Sequence, residues 1–124
     1  MPKGYFLSAH RSPADPLKRQ AYLQLAGPAL SKAGGETLAS TNNVEAHENG
    51  VSEQTVLVEF ESLETAIAAY NSPDYQAALK ALDGGADRDI RIFEGKWFNF
   101  YSFYSIINSF YFLGIFSSAN YRNN

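Results

Sequence analysis

Apolar and polar residues change rhythm several times along the chain, and each change marks an element. "GYFLSAH", Gly4–His10, opens apolar and then alternates, which predicts a first strand with Phe6, Ser8 and His10 on one face. In the next stretch Asp15 is placed to cap a helix and Pro16 to occupy its first position. Leu17, Ala21, Leu25, Ala29 and Ala33 recur at every fourth residue, with Tyr22, Ala26 and Leu30 beside them. That spacing predicts a helix from Pro16 to about Lys32. Pro28 is expected to kink it near Gln24 and Leu25, and Gly34-Gly35 to end it.

"ETLASTNNVEAHENG" reads as a weak, polar strand with an irregularity at Asn42-Asn43 and a hairpin signal at Asn49-Gly50. "TVLVEF", Thr55–Phe60, carries the strongest strand pattern. Within it Glu59 and Phe60 point to opposite faces, and Phe60 is expected to take the helix side. Ser62 then caps a helix bearing Leu63, Ala66, Ile67 and Tyr70, and Ser72-Pro73 restarts a second piece with Tyr75, Ala78, Leu79 and Leu82. "DGGAD" is a loop and "DIRIFEG" a last strand. The order β-α-β-β-α-β predicts an α+β, ferredoxin-like plan with the helices on one face of an antiparallel sheet. The other face keeps apolar side chains, so a second copy is expected to seal it, two sheets packing into a dimeric α+β barrel.

The pattern breaks at Lys96. All 13 acidic residues and nine of the ten basic ones lie in residues 1–96, whereas the rest holds one charge, Arg122, and 11 of the 18 aromatics. Residues 1–96 are therefore expected to form the domain, and 97–124 an atypical aromatic tail. Trp97–Ala119 is 23 residues without a charge, long enough to cross a bilayer, although Asn99, Asn108 and several serines dilute it. The other readings are an aromatic segment packed on a partner subunit, or an extension without a role.

Composition narrows the chemistry. A net charge of -3 with no basic run argues against nucleic acid. The chain has no cysteine, so disulfides and thiolate chemistry are excluded. His10 and His47 are far apart in sequence, no metal site is predicted, and no cofactor is expected. The N-terminal residues do not read as a signal peptide, so a cytoplasmic protein is expected.

Candidate site residues come from the elements. His10, on a central strand, is a general base near neutral pH, with Asp15 or Glu59 setting its tautomer. Arg11 is a candidate clamp for a substrate carboxylate, and Tyr22 a hydrogen-bond donor to the same pocket. Asp15, Tyr70, Ser72 and Tyr75 are candidate ligand-binding residues, the last three at the N-terminus of the second helical piece. Each has a plain alternative. His10 then ends a strand half exposed, Arg11 pairs with Asp15, Tyr22 fills the core, and Ser72-Pro73-Asp74 is only a helix joint. His47 reads as a surface residue.

"DP…Y", "GG", "NG", "VLVEFESLETAIAAYNSPDYQAAL" and "IRIFEG" together resemble the DUF1330 family, over about residues 3–95. The polar "TLASTNNVEAH" departs from the fuller apolar strand usual there, and the tail has no counterpart. The resemblance implies a ferredoxin-like domain of the dimeric α/β-barrel superfamily, hence a homodimer. Its wider relatives include cofactor-free monooxygenases and muconolactone-isomerase-like enzymes, which use the cleft between sheet and helices. The leading expectation is thus a small homodimeric barrel protein that binds a small ligand in that cleft. The alternatives are a cofactor-free enzyme, monooxygenase- or isomerase-like, acting on a small aromatic or carboxylate-bearing molecule, and a protein tethered to a membrane by its tail.

Overall fold

The computed structural model describes residues 2–97, 106–109 and 111. Seven elements follow one another: β1 (Gly4–His10), α1 (Pro16–Lys32), β2 (Glu36–Thr41), β3 (Thr55–Phe60), α2 (Leu63–Asn71), α3 (Pro73–Leu82) and β4 (Arg88–Glu94). The strands form one antiparallel sheet in the order β2-β3-β1-β4, a ferredoxin-like topology with its second helix broken into α2 and α3.

Side-chain alternation sets which face is buried. Along β1, Gly4, Phe6, Ser8 and His10 are buried, and the residues between them are half-buried. Phe6 joins Val58 and Phe60 of β3 under Ala66 and Ala69 of α2 and Tyr75, Ala78 and Leu82 of α3. Tyr75 is 0% exposed and is the aromatic hub: its ring lies 5.9 Å from Phe6, 5.2 Å from Tyr70 and 6.0 Å from Tyr22, between centroids. Such edge-on and tilted pairs add about 0.5–1.5 kcal/mol each beyond their buried area. The opposite face is half-covered, and there Tyr5 stacks on Phe93 at 5.5 Å while its hydroxyl donates to Glu59 at 3.2 Å.

Side-chain oxygens start α1, α2 and α3. Asp15 accepts from the Lys18 amide at 3.0 Å, Ser62 from Thr65 at 3.1 Å and Ser72 from Tyr75 at 3.2 Å. Ser72 also donates to the Ala69 carbonyl at 2.8 Å, so one hydroxyl closes α2 and opens α3.

Several expectations need correction. The closed barrel is not formed. β2 pairs only with β3 and β4 only with β1, so the sheet is open with two free edges among the described residues. Each edge strand has a neighbour on one side alone, and no pairing joins β2 to β4. The dimeric α+β barrel implied by the resemblance is therefore not this structure. In α1 the buried line is Tyr22, Ala26 and Ala29, whereas Leu17 stays 77% and Leu25 45% exposed. The helix leans on α3 more than on the sheet, which rotates its buried line away from the leucines. β2 is exposed throughout, its irregularity falls between Thr37 and Ala39, and it ends at Thr41. β2 and β3 form the hairpin through a long loop, residues 42–54, which holds Asn49-Gly50. The aromatic tail, with the span proposed for Trp97–Ala119, lies mostly outside the described residues. Among those described, no helix is long and apolar enough to cross a membrane.

At Gly4 the sheet and the start of α2 come too close for a side chain. A Cβ there would run into the Ser62 carbonyl and the Leu63 amide, both backbone atoms. Gly4→Ala is expected to cost about 1–3 kcal/mol, typical of overpacking. Urea denaturation should show the lower midpoint; an unchanged midpoint would mean that β1 and α2 have room to part.

Candidate active site

α1 stands off the half of the sheet nearest β2, and a cavity of about 150 Å³ lies beneath it. Phe6, Leu30, Val56, Val58 and Leu82 make the apolar walls, and Thr37 and Ser40 bring β2 to the rim. The polar lining is concentrated at one end, in Ser8, His10, Arg19, Tyr22 and Arg88.

The antiparallel register assembles that end. His10 faces Arg88 directly across the β1–β4 ladder, so both side chains rise on the helix side of the sheet. Arg88 Nη1 donates to the Tyr22 hydroxyl at 3.1 Å and to Ser8 Oγ at 3.4 Å, and the guanidinium lies 4.9 Å from the centre of the Tyr22 ring. The Tyr22 hydroxyl also shares a 2.7 Å hydrogen bond with that of Tyr75. Burial works against the Arg88 charge, but the phenol oxygens of Tyr22 and Tyr75 more than offset it and hold the guanidinium firmly protonated. Burial, and then the neighbouring Tyr22, push the Tyr75 phenol far above its usual range.

His10 is only 7% exposed, not half exposed as a strand end would be. Burial lowers its pKa below the ordinary imidazole value, and Arg88 and Arg19 lower it further, while Glu53 acts weakly the other way. The imidazole is thus kept neutral at neutral pH, with its lone pair free to accept a proton. Behind His10 and Arg19 lies a second, more open hollow of about 290 Å³, bounded by Pro13, Pro16, Asn42 and Glu53 among others.

The sequence-predicted residues separate into three groups. His10 and Tyr22 line the cavity together. Tyr75 joins the cluster through the Tyr22 hydroxyl and its nearness to Arg88, and Tyr70 packs beside it in the core. Arg11, Asp15 and Ser72 do not line the cavity. Arg11 is exposed, Asp15 is occupied as the cap of α1, and Ser72 closes the helix joint, where Asp74 pairs with Lys32 at 3.3 Å. Glu59, one suggested partner of His10, is on the opposite face with Tyr5. Sequence reasoning missed Arg19 and Arg88. Arg88 precedes the apolar run of β4, and only strand pairing sets it opposite His10. Arg19 sits one helical turn before Tyr22, a spacing that places it on the cavity side of α1.

The hydroxyl pair yields an ordered prediction. Tyr22→Phe leaves the fully buried Tyr75 hydroxyl without its partner and is expected to cost about 1–3 kcal/mol. Tyr75→Phe leaves the Tyr22 hydroxyl still accepting from Arg88, and about 0.5–1.5 kcal/mol is expected. Chemical denaturation checks the order. Because folding raises the Tyr75 pKa, its contribution is complete below about pH 10, the ordinary phenol value, and is lost as pH rises beyond it. Stability measured from pH 9 to 12 should fall less steeply in Tyr75→Phe than in the parent chain.

The fold recurs in solved structures. The RPA0582 protein of Rhodopseudomonas palustris, of unknown function, is 20% identical, with 79% of this chain and 84% of that one covered at a TM-score of 0.56. SnoaB of Streptomyces nogalater, a cofactor-independent oxygenase, is 11% identical, with 79% and 97% covered at a TM-score of 0.53. At3g17210 of Arabidopsis thaliana is 13% identical, with 80% and 97% covered at 0.52. At such identities the likeness is one of fold. No curated protein matches the chain. The model of a domain of unknown function, DUF1330, matches residues 3–96, a span that holds every element of the sheet and every residue of the cavity, and the chain belongs to the DUF1330 family.

Proposed function

We propose that this domain is a cofactor-free enzyme that takes a proton from a small, ring-bearing molecule held between α1 and the sheet. The closed barrel is not formed, and the cleft between sheet and helices is here a cavity lined by one chain. One observation carries the proposal: a buried, neutral His10 faces the fixed cation Arg88 at the polar end of an apolar cavity. A base and a cation so placed match the two needs of carbon-acid or phenol ionisation. His10 accepts the proton, and Arg88 stabilises the negative oxygen that develops on the substrate.

The apolar walls strengthen that interaction by excluding water. Ser8 and Tyr22 hold Arg88 in place, so little reorganisation accompanies the change in charge. Return of the proton to a different carbon makes the reaction an isomerisation. Reaction of the electron-rich anion with dioxygen makes it an oxygenation. SnoaB, a cofactor-independent oxygenase on the same fold, favours the second outcome.

Turnover of a panel of phenols and cyclic ketones, followed by dioxygen uptake and by exchange of substrate protons with deuterated solvent, tests this. His10→Gln should lower the rate by about 10²–10⁴-fold, the usual contribution of a positioned base. The base works in its neutral form and its pKa is depressed, so activity should persist as pH falls through about 6.5, the ordinary histidine value, and decline only below it. Equal rates in His10→Gln and the parent would remove His10 from the chemistry.

A further inference from the structure

Sixteen residues line the inner cavity, and two of them are arginines while none is an aspartate or glutamate. The other charged contacts of the domain are balanced: Lys18 with Asp83, Lys32 with Asp74, and Arg91 with Asp89. Among the described residues, Lys3, Arg11, Lys80 and Lys96 also lack an acidic partner, but they are exposed and solvated. Arg19 and Arg88 are the half-buried cations without one. Arg88 is satisfied only by neutral hydroxyls, and Glu53 shares the outer hollow with Arg19 but forms no ion pair with it.

Hydroxyls and the Tyr22 ring hold the Arg88 charge but do not neutralise it, so two half-buried guanidinium groups leave one end of the cavity positive. A ligand carboxylate supplies the missing counter-charge. It also suits the planar donor fork of arginine, which binds two oxygens at once. The rest of the cavity sets the remainder of the molecule. Its volume of about 150 Å³ is on the scale that accommodates one benzene ring, and its walls are apolar.

We infer that the cavity is an anion site whose ligand is a single-ring aromatic carboxylate, the ring among Phe6, Val56, Val58 and Leu82 and the carboxylate between Arg19 and Arg88. This rests on the cavity of the proposed enzyme and names its substrate class. It also moves the anion clamp from Arg11, where the sequence suggested it, to two residues inside the cavity. The depressed pKa of His10 agrees, since both arginines contribute to it.

Calorimetric titration of the full chain with benzoate and with benzamide, which has the same shape and no charge, separates the possibilities. Benzoate should bind at least tenfold more tightly than benzamide. Arg19→Gln and Arg88→Gln should each erase most of that preference, whereas His10→Gln should keep it. Arg19 makes no side-chain hydrogen bond or ion pair among the described residues, so Arg19→Gln is expected to fold even if Arg88→Gln does not. Equal binding of the two probes, binding of neither, or a preference that survives Arg19→Gln would overturn the inference. None of those results touches the proton chemistry of His10, which the exchange assay reads separately with neutral substrates.

Discussion

Tyr22 of α1 and Tyr75 of α3 meet hydroxyl to hydroxyl at 2.7 Å, and their rings cross nearly at right angles. Both are buried, so neither hydroxyl has water as a ready substitute. This contact ties α1 to α3, on which the helix packs more than on the strands. Tyr75 is also the ring on which Phe6 and Tyr70 pack, so the same residue centres the core. From the Tyr22 oxygen the chain of contacts runs on to Arg88 and Ser8, out of the core and into the cavity.

The cavity follows from that packing, since α1 leaves Val56 and Val58 of β3 lining open space beneath it. Held by α3, α1 presents small residues, Ala26 and Gly27, to the opening, and β2 remains exposed along its length. Gly35 allows the chain to turn closely beneath: a Cβ there would come within 2.8 Å of both Phe60 and Val58. Stability and cavity are thus coupled through few residues. The buried rings of Tyr75 in α3 and Phe6 in β1 support the part of the molecule that leaves the cavity.

Electrostatics follows from placement. Arg88 is held by hydroxyls and by the Tyr22 ring face, which keep it charged without neutralising it. Its field, with that of Arg19, falls on His10 and favours the uncharged imidazole. An acid on Arg88 would have made the same residues a structural ion pair. Its lack makes the polar end of the cavity positive and receptive.

The order of strands and helices, the caps at Asp15, Ser62 and Ser72, and the inward face of β1 were all legible in the sequence, because each depends on neighbours within a turn or on strict alternation. The plain reading of Ser72-Pro73-Asp74 as a helix joint was legible for the same reason. Tertiary structure decided the rest. It turned Tyr22 and not Leu17 or Leu25 inward, since which stripe of α1 is buried depends on the helix it leans against. It left the sheet open, since closure depends on how strands meet and not on their own patterns. It brought Arg88, 78 positions further along the chain, opposite His10, a pairing created by the β1–β4 register and by no local signal.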